Sequence, residues 1–225
     1  MISFSAYKYE LEQLDEGVHD PAIFKAIFLA GGPGSGKSFM VGKTALPALG
    51  LKLVNSDPAF ESALAKAGLT TKSEDIYSPQ GQKIRIKAKA LVGKQQQLYI
   101  NGRLGLTIDG TGKNLGKIKK QNEGLGKLGY ETGMIYVNTD LETALKRNRN
   151  RERVLPDDVV EDMWKEVQKN LGAFQRMFKT KMFIIDNSEG SKYERDVQSV
   201  YKKVMSWTRK KPDTPAASAW LKLQK

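Results

Sequence analysis

The chain has 225 residues, 40% of them hydrophobic, and a net charge of +12 from 37 basic against 25 acidic side chains. Its length and apolar content support one sizeable domain with a real core. Without cysteine, disulfides, thiol catalysis and cysteine-ligated metals are excluded, and a single histidine, His19, gives no basis for Ser-His-Asp chemistry or a His-rich metal site.

Residues 1–22 read as an N-terminal appendage, with Ile2, Phe4, Tyr7, Leu11 and Leu14 at rough helical spacing. Glu10, Glu12, Asp15 and Glu16 and the lack of a long apolar core exclude a secretory signal. No apolar stretch is long enough to span a membrane, so a cytoplasmic location is expected. Residues 23–30 (IFKAIFLA) predict a buried parallel strand.

Gly31-Gly32-Pro33-Gly34-Ser35-Gly36-Lys37-Ser38 follows at once, and Phe39, Met40, Val41, Ala45 and Leu46 then supply one side of a helix. Strand, glycine loop and helix are the setting of a P-loop. Such a loop holds a triphosphate against backbone N–H groups, so side chains there are an obstacle and glycine removes it. The pattern predicts a nucleotide site over Gly32, Pro33, Gly34, Ser35, Gly36, Lys37, Ser38 and Phe39. Lys37 reaches the β- and γ-phosphates of ATP, and the Ser38 hydroxyl ligates Mg²⁺.

Residues 51–55 predict a second strand, and Asp57-Pro58 opens a helix with Asp57 at its N-cap. A carboxylate at the end of a parallel strand lines the ligand crevice. Asp57 there either accepts the proton of an attacking hydroxyl or only caps its helix, and the two roles are compatible. From 82 to about 99, Ile84, Ala88, Leu91, Gln95 and Leu98 form one helical stripe, with Lys83, Lys87 and Lys94 off it.

Residues 104–108 predict a third strand ending at Asp109. Asp109 is placed like the acid that holds Mg²⁺, directly or through water; the alternative is an ordinary turn residue. Gly110 follows it where many P-loop ATPases carry a glutamate, which points away from a hydrolytic motor. Residues 133–137 and 182–185 complete a set of five strands. Capping boxes at Thr139 to Glu142 and Ser191 to Glu194 open two helices, and Val160, Met163, Val167, Leu171, Phe174 and Phe178 mark another over 157–178. Strands alternating with helices predict an α/β three-layer sandwich with a mostly parallel five-stranded sheet over 23–209. Residues 210–225, with two prolines and small side chains, predict a mobile tail.

Basic residues cluster. Between 76 and 108 there are six and no acid, and 146–153 (KRNRNRER) is an arginine-rich segment between two helices. That segment predicts a lid over about 146–156 that closes on a triphosphate, or else a solvated charge run. The net charge favours a polyanionic partner.

Residues 31–38, Val-Asn-Ser-Asp57, Asp109-Gly-Thr-Gly and Lys-Arg-Asn148…Arg151…Pro156-x-x-Val159…Met163 stand in an order and spacing that resemble the P-loop polynucleotide kinases and zeta-toxin-type kinases. The resemblance implies Asp57 as general base and Arg151 as the lid arginine, with Arg149 and Arg153 as alternatives. The segment DPAIFKAIFLAGGPGSGKS is similar to phage-encoded kinases, one group of which phosphorylates the hydroxymethyl group of 5-hydroxymethyluracil in DNA. That likeness implies DNA as acceptor and a place in thymidine hypermodification, within the host cytoplasm. A 5′-hydroxyl polynucleotide kinase and a UDP-amino-sugar kinase are the alternative implications.

Overall fold

β1 (Lys25–Ala30) is buried along its whole length because it is the central strand of the sheet. The computed structural model describes residues 17–44, 46–151 and 154–224. The helix expected within residues 1–20 lies outside them, apart from a 3-10 turn at Gly17–His19. With β2 (Lys52–Val54), β3 (Leu106–Asp109), β4 (Glu131–Asn138) and β5 (Met182–Asp186), the sheet has the order β2-β3-β1-β4-β5. All its pairings are parallel.

Alternation along β1 feeds two cores. Ala26, Phe28 and Ala30 face a layer made of α5 (Leu115–Lys127), α7 (Asp157–Phe178) and α9 (Pro215–Leu223). Ile27 and Leu29 face the other, where α1 (Lys37–Thr44) brings Met40 and α8 (Tyr193–Thr208) brings Val197, Val200 and Val204. Beside the β2 edge, α2 (Asp57–Lys66), α3 (Ser73–Tyr77) and α4 (Pro79–Asn101) share a small cluster of Phe60, Leu64, Ile76 and Ala88. The architecture is the expected α/β three-layer sandwich, with every strand pair parallel.

At the N-terminal ends of the strands lies a buried ionic group. Lys25, fully buried inside the apolar run, donates to Glu131 Oε1 at 2.5 Å. Lys181 and the Trp207 indole donate to Glu131 Oε2 at 2.9 and 3.0 Å. Burial alone pushes the Glu131 carboxyl up, but these three donors outweigh it and hold it at about 2. Of the segment 1–22 expected as an appendage, only residues from 17 on are described; there Asp20 is buried, and its Oδ1 accepts from the N–H groups of Ala22 and Gly105.

Four expectations are corrected. Residues 210–224, expected within a mobile tail, instead carry the packed helix α9. Thr214 caps α9 and donates to the Gly129 carbonyl at 2.7 Å, and Trp220 meets Phe24 edge-on at 5.5 Å. The buried line of α4 is Gly81, Ala88 and Val92, while Leu91 and Leu98 are exposed. The helix is rotated because Gly81 lies against the carbonyls of Asp75 and Ile76, and Arg85 stacks over Phe60 at 4.7 Å. Asp140, not Thr139, caps α6 (Leu141–Arg149), accepting from the Thr143 N–H at 2.7 Å. Ser191 does not cap α8; its hydroxyl donates to the Asp186 carbonyl.

Candidate active site

Register brings three strand ends to one level. Val54 pairs with Ile108, and Asp109 pairs with Leu29, so residues 55–57, Asp109 and the loop after Ala30 meet at the C-terminal edge of the sheet. The 31–38 loop closes over this edge, with Gly34 at φ +73° and Gly36 at φ +85°. Those glycines are required by packing as well as by any ligand. A Cβ on Gly34 would sit 2.6 Å from the Ala144 carbonyl, and one on Gly36 would strike the Asn187 amide. Asn187 donates to the Ser35 carbonyl at 2.7 Å, and Arg147 donates to the Gly34 carbonyl at 3.3 Å and to Asn187 Oδ1 at 3.4 Å. These two residues buttress the loop from behind; Arg147 belongs to the arginine-rich segment, whereas no local sequence pattern marks Asn187.

The Lys37 ammonium donates back to the Gly31 carbonyl at 2.6 Å. Burial lowers its pKa, the Asp109 carboxylate opposes that, Arg151 lowers it further and Asp57 opposes again. Lys37 therefore feels all three of these neighbouring charges. All four residues line one cavity of about 460 Å³, together with Ser38, Asn55, Lys89 and Met163. A neighbouring cavity of about 280 Å³ is formed by residues 32–39 with Arg147 and Arg151. Phe39 stands at its edge, stacked on Tyr193 at 6.0 Å.

Asn55 organises the acids. Its Nδ2 donates to Asp109 Oδ2 at 2.9 Å, and its Oδ1 accepts the Asp57 N–H at 2.8 Å. The cap of α2 is Ser56, without a side-chain bond, so the Asp57 carboxylate is exposed in the crevice rather than spent on its helix. Asp109 Oδ1 is buried with no hydrogen-bond partner, and burial raises the pKa of this carboxyl against the pull of Lys37. An orphaned carboxylate oxygen in the cavity that Ser38 also lines fits a hard cation that takes its remaining ligands from phosphate and water.

The described arginines of the 146–153 segment differ in their surroundings, Arg147 bonding the loop as above. Arg149 is clamped to Asp157, Nη2 to Oδ2, at 2.5 Å. Arg151 borders both cavities, and Arg153 lies outside the described residues. Asn148 is fully buried; its amide bonds the Leu155 N–H at 3.1 Å and carbonyl at 2.7 Å, closing the neck of the loop that carries Arg151.

The sequence matches the model of the AAA domain over residues 27–173, from β1 into the last turns of α7. The chain belongs to the AAA domain family. No curated protein matches the sequence. Among solved structures, a chain of the AvrRxo1-ORF1:AvrRxo1-ORF2 complex is similar at TM-score 0.57 and 17% identity, covering 81% of this chain and 63% of that one. This AAA domain protein thus spans less than two thirds of that chain; the same complex has also been solved with ATP. A chain of the Pnkp1/Rnl/Hen1 RNA repair complex is similar at TM-score 0.51 and 18% identity, covering 67% of this chain and 46% of that one. A gluconokinase from Sinorhizobium meliloti 1021 is similar at TM-score 0.50 and 13% identity, covering 82% of this chain and 95% of that one. At these identities the likeness establishes the fold. No helix among the described residues is long and apolar enough to cross a membrane.

Proposed function

We propose that this protein is an ATP-dependent kinase that transfers the γ-phosphate to an alcohol hydroxyl of DNA, the hydroxymethyl group of 5-hydroxymethyluracil. The main support is that Lys37, Asp57, Asp109 and Arg151 line one cavity next to the phosphate loop. Asp57 takes the proton as the acceptor O–H breaks. The freed oxygen bonds to the γ-phosphorus, the bond from that phosphorus to the β–γ bridging oxygen breaks, and the electron pair leaves with ADP. Lys37 and the loop N–H groups hold the β- and γ-phosphates, and Arg151, placed between the two cavities, meets the charge of the transferring group. Ser38 and Asp109 are the residues that would hold Mg²⁺, which when bound neutralises phosphate charge.

Three features support DNA as the acceptor. One is the net charge of +12; another is the acid-free basic stretch on α4, from which Lys89 reaches the cavity wall. The third is the resemblance of the 20–38 segment to phage kinases of hydroxymethylated DNA. The test is transfer from γ-labelled ATP to plain DNA, to hydroxymethyluracil DNA and to a UDP-sugar, with the label mapped after digestion to nucleosides. Label is expected on the hydroxymethyl group. Label on a 5′ end would move the acceptor to a strand terminus, and label on the UDP-sugar alone would remove DNA.

A further inference from the structure

A third cavity, of about 590 Å³, adjoins the catalytic one and shares Asp109, Gly110 and Thr111 with it as a common wall. None of its other lining residues has a part in the phosphoryl step. Its floor is apolar, made by Phe28 and Ile108 of the sheet and Leu115 and Ile118 of α5. Its rim is cationic: Lys113 and Lys117 stand on one side and Lys169 of α7 on the other, and its two carboxylates are Glu166 and, in the shared wall, Asp109. All three lysines are exposed, and none is in an ion pair among the described residues.

The wall is built rather than loose. Asn170 is buried, and its Nδ2 donates to the carbonyls of Gly112 and Lys113 at 3.0 and 2.9 Å. Asn114 Oδ1 accepts the Lys117 N–H at 2.8 Å and so fixes the start of α5. Gly112, at φ +83°, lies against β1 so closely that a Cβ would come within 2.9 Å of the Ala30 Cβ. The slot therefore keeps its shape when the crevice is empty.

An apolar floor under a rim of such cations suits a flat uncharged ring attached to an anionic backbone. A lone phosphate needs no such floor, and a volume of this order holds a whole small ligand. Bases stack on apolar surfaces while Lys side chains neutralise the phosphates beside them. We infer that this cavity is a strand subsite: it binds the nucleotide next to the one being phosphorylated, base on the Phe28–Ile118 floor and phosphate on Lys113, Lys117 and Lys169. The inference rests on the DNA-kinase reading and extends it to single-stranded flanking sequence.

The test compares wild type with two variants, Lys117→Ala/Lys169→Ala and Gln121→Trp, the second filling the slot without changing charge. Acceptors are a short single-stranded oligonucleotide carrying hydroxymethyluracil and the free hydroxymethyl nucleoside. Both variants should raise the oligonucleotide KM about tenfold, within the range expected for losing one stacked base, and leave the KM for ATP unchanged. The double variant should also flatten the log–log salt dependence of oligonucleotide binding by up to about 0.7, the change for one single-strand phosphate no longer neutralised. Any rate on the free nucleoside should not move. If wild type phosphorylates the oligonucleotide and both variants match its KM and salt slope, the strand subsite is wrong and the kinase reading stands. If wild type transfers nothing to any oligonucleotide, the DNA reading falls and the subsite falls with it.

Discussion

Asn55 holds Asp109 through a 2.9 Å bond from its Nδ2 while its Oδ1 receives the backbone N–H of Asp57. One neutral amide thus sets the spacing of two carboxylates that arise on different strands. Asn55→Leu should lower kcat by about 10–100-fold, the usual cost of losing a partner that orients a site carboxylate. Steady-state kinetics with ATP and acceptor varied separately check this; a loss confined to protein stability would reduce Asn55 to a packing residue.

Arg149 and Arg151 are two residues apart and differ in surroundings. Arg149 is spent on Asp157 at the surface, whereas Arg151 borders both cavities. Arg151→Ala should cut kcat by about 10²-fold or more with little change in ATP affinity, as for a donor acting mainly on the transition state. Arg149→Ala should leave kcat within about twofold, since an exposed ion pair contributes at most about 1 kcal/mol. The reverse ranking would move the catalytic arginine to Arg149.

The ionic group under the sheet makes a prediction about acid. Glu131 is held at about 2 in the folded protein, below its ordinary value of 4.5. A carboxyl depressed on folding stabilises above its unfolded pKa, and that stabilisation is lost as pH falls through the folded one. Stability should therefore drop between about pH 5 and pH 2 more steeply in wild type than in Glu131→Gln. At neutral pH the same variant should be less stable by about 3 kcal/mol, because Lys25 stays buried without its counter-charge. Urea midpoints across that pH range measure both effects.

Lys83, Lys87 and Lys94 are all exposed on α4. If that face tracks a DNA backbone, the triple Ala variant should bind DNA more weakly. Its log–log salt slope should flatten by roughly 0.7–0.9 for each phosphate left without its lysine. ATP affinity should stay near normal. An unchanged salt slope would assign these lysines to solubility alone.

Much of the fold and site is legible in the sequence because it is local. Five apolar runs become five strands, and the glycine pattern places the loop between β1 and α1. α5 is hidden because Gly116, Gly124 and Gly126 dilute its helical signal and only Ile118 and Leu125 are buried in it. α9 reads as a tail because its prolines and small residues look like one until Trp220 finds Phe24, far away in sequence. The contacts of Arg147 and Asn187 with the loop are out of reach for the same reason: the bonds of Arg147 to Gly34 and of Asn187 to Ser35 bridge 113 and 152 residues. Lys25 inside an apolar run gives a local sign of a buried charge, but its partner Glu131 lies 106 residues on.

Asp57 is proposed to drive phosphate onto an acceptor hydroxyl, and γ-label transfer by wild type and Asp57→Asn on hydroxymethyluracil DNA tests that step. Wild type should place label in DNA. The variant should transfer about 10²–10⁴-fold more slowly, with ATP binding intact. Its thermal stability should change little, because the Asp57 side chain does not cap α2. Equal transfer by both proteins, or ATP hydrolysis that ignores the acceptor, would overturn the role of Asp57 as the base.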